Sequence, residues 1–239
     1  MRKISLATRT SPVNLTKPRA ALKKAPTVVV VTPSFDRRVF VNCPFDEDYI
    51  HFLHALIFTI HQCGFSSHTA ADETGSHETR LQKIVRLIQE SRLSVHDMSR
   101  LSLDPKSQLP RFNMPFECGL AFGITKTTQE ERSLLVVCSE PYKDKVALSD
   151  LAGMDPGYYQ NSELRLIEHM RRFLASNDRS GSLKKGAEDI HARLNDCRAW
   201  MPKYLKAQKV GISAKEIVSL KYLTEWRILI VEWLLLHPT

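Results

Sequence analysis

Between residues 38 and 138, short β-branched runs alternate with segments of helical period, and this alternation constrains the fold more than any other feature of the chain. Arg38-Val-Phe-Val-Asn-Cys43 reads as a strand closed by Pro44. Tyr49, Phe52, Leu53, Leu56, Ile57 and Ile60 then recur at the spacing of one helix face until Gly64 ends the pattern. Ser66 to Ala70 is a second strand, and Leu81, Ile84, Val85 and Ile88 mark a helix running to about Ser91. Leu93-Ser-Val-His-Asp97 gives a third strand, and a Pro-containing loop over residues 99 to 112 leads to a further helix. Ser133-Leu-Leu-Val-Val-Cys138 is a near-continuous apolar run, as in a parallel strand buried on both faces. The alternation predicts right-handed βαβ units and an α/β open parallel sheet with helices on both faces.

Past about residue 155 the pattern becomes helical. Leu164, Ile167, Met170 and Leu174 give one helix, and two more follow over roughly 186 to 207 and 213 to 236, with Trp200, Trp226 and Trp233 as large packing residues. The expected organisation is a basic tail over 1–36, an α/β domain over 37–155 and a helical C-terminal region over 156–239. Thr27 to Val31 is a short run that reads either as an edge strand or as none.

Net charge is +8, but it is localised: of 34 bases and 26 acids, nine and one fall in residues 1–38, which leaves 25 of each beyond. Contact with nucleic acid is therefore expected only through the N-terminal tail. Five widely spaced cysteines without a C-x-x-C argue for reduced thiols in a cytoplasmic protein. The longest apolar run, Ile228 to Leu236, is interrupted by Glu232 and too short to span a bilayer, so no membrane partner is expected.

Ligands of open α/β sheets bind at the carboxyl ends of the strands, near the point where strand order reverses. Asn42-Cys-Pro-Phe-Asp46, the Asp72-Glu73 loop and Asp97 all end strands with polar groups. The segment Met114 to Ile124 starts at the same edge, apolar or small throughout except for Glu117. With Met114 as N-cap, Pro115 opens the helix and Glu117 stands third, where a carboxylate bonds back to free N–H groups; with Asn113 as N-cap it moves one position inward. The functional reading is a carboxylate whose pKa burial raises and the helix N-terminus lowers, placed to meet positive charge developing on a sugar C1 as an N-glycosidic bond breaks. Both readings stand at this point. Asp97 either caps a turn, or is a carboxylate that holds ribose hydroxyls or orients a reacting group, and Arg80, Arg100 and Arg111 are bases able to pair with phosphate.

Other chemistries lack their motifs. There is no P-loop, no G-x-G-x-x-G and no G-x-S-x-G. His51, His54 and His61 lie near one side of the first helix without H-E-x-x-H or paired cysteines, so no metal is expected.

Four stretches carry a resemblance: Val39 to Asp46, Arg80 to Ile84, Ser91 to Arg100, and Pro110 to Gly119. Together they resemble bacterial TIR-like proteins, which in turn are similar to nucleoside 2-deoxyribosyltransferases. The resemblance covers roughly residues 38 to 140 and implies a flavodoxin-like sheet. By motif, Glu117 of Glu117-Cys-Gly119 matches the catalytic Glu, Asp97 the strand-end Asp, and Asn42 to Asp46 the loop that contacts base or sugar. Phe112-Asn-Met-Pro-Phe116 departs from the Gly and Thr or Ser that the transferases place before that Glu. The resulting expectation is an N-ribosyl hydrolase or transferase acting on NAD or another nucleotide, with no resident cofactor, as an effector in antiphage defence. Glu117 and Asp97 would be catalytic, and Asn42, Pro44, Phe45, Asp46, Asp72, Arg80, Arg111 and Asn113 would bind substrate. A homo-oligomer or a defence-system partner protein is expected, and the alternative is a catalytically silent nucleotide-signal-binding or oligomerising module.

Overall fold

The computed structural model describes residues 33–72, 77–101, 109, 111–141 and 155–238. Thr27 to Val31, the tail up to residue 32, Glu73 and most of the loop before Pro110 lie outside them.

Five parallel strands form one sheet in the order β2-β1-β3-β4-β5. They are β1 (Arg38–Asn42), β2 (Ser66–His68), β3 (Leu93–Asp97), β4 (Ser133–Cys138) and β5 (Gly157–Tyr158). The chain steps from β1 outward to β2 and then returns past β1 to β3, so the strand order reverses between β1 and β3. Right-handed crossovers require helices to change face when the direction of progression reverses. Accordingly α1 (Ile50–Gln62), between β1 and β2, covers one face, whereas α2 (Arg80–Gln89) and α3 (Asn113–Thr127) cover the other.

Strand alternation assigns side chains to the two faces. Val39, Val41, Leu93, Val95 and Val137 join the core under α1, while Phe40, Val136 and Cys138 pack against α2 and α3. The α1 face carries a second layer. Beyond β5 the chain forms α4 (Glu163–Ser176), α5 (Ala187–Gln208), α6 (Ala214–Ile217) and α7 (Leu223–Leu236). Helix α4 lies beside α1 on the sheet, and α5 and α7 cover that pair. Trp226 is fully enclosed there, stacked on His54 of α1 with ring centroids 3.8 Å apart.

Pro33–Thr239 form one compact unit, and residues beyond 155 give the sheet its last strand and one of its covering helices. The two-residue β5 has no apolar run to announce it. A Cβ at Gly157 would meet the His169 ring of α4 at 2.7 Å, so glycine lets β5 and that ring lie this close. The helix expected over 213–236 is divided into α6 and α7 by a 3-10 turn at Leu220–Tyr222. Ser213 and Glu216 form a reciprocal capping box on α6, and extended backbone at Ser219 ends that first piece. All five cysteines are buried free thiols. No helix among the described residues is long and apolar enough to cross a membrane.

Candidate functional site

The carboxyl ends of β1, β2 and β3 and the start of α3 meet at one edge of the sheet. Cys43, buried just past β1, reports the convergence: burial pushes its thiol pKa up, and the negative charges of Asp97, Glu117, Asp46 and Asp72 push it further. Four carboxylates from distant parts of the chain thus act on one sulfur.

Asp97 ends β3 with no exposed surface. Its Oδ2 accepts a hydrogen bond from the Tyr49 hydroxyl at 2.6 Å, and its Oδ1 accepts from the Ser99 N–H at 2.8 Å. The Ser99 hydroxyl lies 2.8 Å from the Tyr159 hydroxyl and accepts the Ser139 N–H at 2.8 Å. Burial raises the Asp97 pKa, and these donors oppose the rise without cancelling it. This network joins the entry to α1 with the ends of β3, β4 and β5. By alternation Asp97 shares the α1 face with Leu93 and Val95, opposite the face that α3 covers.

On the α3 face, Asn42 is buried and its Nδ2 donates to the Met114 carbonyl at 3.1 Å, tying the first turn of α3 to β1. The same nitrogen faces His96 Nδ1 at 3.1 Å, and His96 Nε2 lies 3.0 Å from the Ser94 hydroxyl. An amide donor at Nδ1 requires the tautomer protonated at Nε2. Burial lowers the His96 pKa to about 3, so the ring is neutral. Pro44 is buried, and the half-buried Phe45 packs on the α1 core, so both support the loop from below.

Asp46 lies at the surface of this edge. Arg100 donates to both of its oxygens, at 2.9 and 3.2 Å, and Arg111 approaches at 3.2 Å. Burial alone would raise its pKa, but the hydrogen bond and charge of Arg100, with Arg111 behind it, outweigh burial and hold the carboxyl below its ordinary value. Two of the three arginines suited to phosphate are therefore occupied by Asp46. Asn113 is exposed at the first residue of α3.

Glu117 faces inward with Met114, Cys118 and Ala121 and is 6% exposed. The helix starts at Asn113 with Phe112 as N-cap and no side-chain capping bond, so Glu117 is the fifth helical residue, two positions beyond the third. Neither capping arrangement expected from the sequence forms: Phe112, at the cap position, has helical backbone angles and no side-chain acceptor. Among the described residues the one polar partner of Glu117 is Arg80 at 3.8 Å, beyond hydrogen-bonding distance. Burial raises the Glu117 pKa, and the Arg80 charge opposes the rise.

Asp72 is engaged elsewhere. Arg227 of α7 donates to both of its oxygens at 2.8 Å, and the Thr69 N–H donates at 2.7 Å, so this carboxylate anchors the outer helical layer to the sheet. Asn42, Asp46, Glu117 and the arginines thus stay together at the edge, while Asp97 and Asp72 are consumed by structural contacts. The sequence reading took Tyr49 only as a core position of α1 and did not single out Ser99 or Tyr159. A hydroxyl two residues beyond a strand-end carboxylate was the signal available for Ser99.

Burial lowers the pKa of both His54 and His61 to about 3, and His61 Nε2 lies 3.2 Å from the Ser67 hydroxyl. Among the described residues no three His, Cys, Asp or Glu side chains group as a metal ion would require. Two clefts lie away from this edge. One, of about 310 Å³, is lined by Arg37, Arg92 and Arg179 where β1 and β3 begin; the other is bordered by α4 and the start of α5. No protein-family model matches the chain, and no curated protein matches it.

Proposed function

We propose that this chain is a flavodoxin-like, TIR- or deoxyribosyltransferase-like N-ribosyl hydrolase or transferase that cleaves the N-glycosidic bond of NAD or another nucleotide. The observation that carries the reading is Glu117: a buried carboxylate on α3, with its pKa raised and, among the described residues, one long ion-pair contact, to the largely exposed Arg80. Such a group has capacity left for a cation that forms transiently. As the C1–N bond breaks, the base leaves with the electron pair and positive charge develops on C1, which Glu117 meets as nucleophile or as electrostatic stabiliser. Water then completes hydrolysis, or a second base completes transfer. Strand order β2-β1-β3-β4-β5 is the order of flavodoxin-like sheets, and its reversal point adjoins this edge. Effector action in antiphage defence is the biological setting proposed for this activity.

The test is release of free base from NAD and a panel of nucleosides and nucleotides, followed by chromatography. Wild-type protein releases base, and Glu117→Gln lowers the rate by about 10²–10⁴-fold, the range for loss of one positioned carboxyl group. Equal release by the variant, or none by the wild type, overturns the assignment. One observation favours the second reading, a silent nucleotide-binding module: Asp97 is fully enclosed and already holds Tyr49 and Ser99. That reading predicts calorimetric binding of nucleotide without consumption.

A further inference from the structure

The edge where β1 and β3 begin lies opposite the one that holds Glu117, and its cleft of about 310 Å³ is lined by Ser34, Asp36, Arg37, Arg92, Arg179 and Ser180. That volume is at the lower end of the range for small-molecule pockets. Three distant segments meet there: the turn into β1, the residue before β3 and the turn after α4. Most of their charges are already answered. Asp178 accepts from Arg37 at 2.9 Å, from Lys184, and from the N–H and hydroxyl of Ser180. Arg179 reaches Asp36 at 2.7 Å and Glu131 at 2.6 Å. Arg92 is the exception. It is 2% exposed, with Nε donating to the Asp36 carbonyl at 3.4 Å and Nη2 to the Asn177 carbonyl, so the guanidinium plane is fixed from the backbone. Asp36 Oδ1 lies 3.4 Å from the same Nε. Nη1 has no acceptor among the described residues and is not sealed in: the surface that Arg92 keeps opens on the cleft.

A buried guanidinium with an unanswered edge is costly unless something else fills it. The surroundings sharpen the cost: burial lowers the Arg92 pKa, the charge of Arg179 lowers it further, and Asp36 and Glu131 oppose the fall without cancelling it. Across the cluster Arg37, Arg92, Arg179 and Lys184 stand against Asp36, Asp178 and Glu131, an excess of one positive charge. Arg179 can serve as a second arm. Its side chain is 52% exposed and those of its two carboxylate partners 50% and 73%, and ion pairs so open to solvent contribute little and exchange readily. The Ser34 side chain makes no capping bond, which leaves an exposed hydroxyl at the rim.

We propose that this cleft binds a small phosphate monoester with a hydroxylated body, at a site separate from the Glu117 edge. Arg92 Nη1 and Arg179 hold the phosphate oxygens, a task for which the rigid guanidinium fork is suited. Once Arg179 turns to the phosphate, Asp36 is released to accept hydroxyls of the body, with Ser34 beside it. The phosphate offsets the excess positive charge and gives the fixed edge of Arg92 the acceptor that the fold does not supply. A nucleic-acid backbone fits less well, because it needs an extended run of available bases and here the cations alternate with acids. The ligand touches the start of β1, the start of β3 and the turn after α4, so binding ties three distant segments together and stabilises the folded chain.

Calorimetry and thermal melts of the full chain with ribose 5-phosphate and with inorganic phosphate, at constant ionic strength, test the site independently of any activity. Ribose 5-phosphate binds once per chain and, at ten times its dissociation constant, raises the melting temperature by about 3–6 °C. Inorganic phosphate binds at least about tenfold more weakly. Ser34→Glu puts a carboxylate at the rim and Arg179→Gln removes the second arm; both positions are exposed, both variants keep the wild-type circular dichroism, and each weakens binding by at least about tenfold. Arg92→Lys keeps the charge but loses the fork and weakens binding likewise. Arg80→Met, at the opposite edge, leaves it unchanged. No binding by the wild type at about 10 mM, or undiminished binding by Ser34→Glu and Arg179→Gln, overturns the proposal. Equal affinity for the two probes overturns the assignment of a monoester. Loss of binding in Arg80→Met alone also overturns the proposal and moves the anion to the Glu117 edge.

Discussion

The two faces of the sheet treat a hidden carboxylate in opposite ways. Asp97, on the α1 face, lies beneath two layers of helix and accepts hydrogen bonds from Tyr49 and Ser99. Glu117, on the singly covered α3 face, is nearly as hidden but has, among the described residues, Arg80 at 3.8 Å as its one polar partner. Burial raises both pKa values, so neither exposure nor the direction of the shift separates them. Partners do. A buried carboxylate that answers several donors is part of the frame, whereas one left with spare acceptor capacity raises the free energy of the folded state and needs another explanation.

The sharpest way to break this contrast is to remove each carboxyl group. Asp97→Ala leaves the Tyr49 hydroxyl and the Ser99 N–H as buried donors without an acceptor, at roughly 1–3 kcal/mol each. The expected loss is about 3–5 kcal/mol in chemical denaturation, partly offset because a desolvated charge is also removed. A loss under about 1 kcal/mol would show that Asp97 is not the keystone of the network joining β3, β4 and β5.

A smaller effect compares two ion pairs. Arg227 reaches both oxygens of Asp72 from α7, and both side chains are largely shielded from solvent. Arg227→Met is expected to cost about 2 kcal/mol and to change little between low and high salt. Arg80→Met, by contrast, breaks a long pair whose arginine is mostly exposed, and is expected to shift stability by less than about 0.5 kcal/mol. Equal losses from the two substitutions would erase the distinction between a staple and an unfinished contact.

The sheet was legible because its signals are local. β3 and β4 match the apolar runs residue for residue, and α1 follows its apolar spacing. β5 was not legible, since two residues paired to Val137 and Cys138 acquire strand character only from their neighbours. At the site, sequence could place carboxylates at strand ends but not say which were occupied. Asp72 is engaged by an arginine 155 residues away, and Asp97 by a tyrosine read as core. The outward face of α3 shows the same limit: an apolar helix reads as buried, and only the fold reveals which arc is uncovered.

The finest test concerns the stability cost of Glu117 itself. Its folded-state pKa is raised, so between the ordinary carboxylate value and the raised one the native state binds more protons than the unfolded chain. Stability contributed by this group therefore falls as pH rises through that window, and the cost is fully present above it. Glu117→Gln removes the ionised form while keeping shape and hydrogen-bonding atoms. It should stabilise the protein by about 0.5–1 kcal/mol at neutral pH, within the range that single stabilising substitutions commonly give. The gain should vanish below about pH 4, where the wild-type carboxyl is protonated in both states. A helix-capping role predicts the reverse, a loss at neutral pH that shrinks in acid, because the charged form would then be the one the fold favours. Thermal melts of both proteins from pH 4 to 8 read the sign directly, and a neutral-pH loss would return Glu117 to the structural frame alongside Asp97.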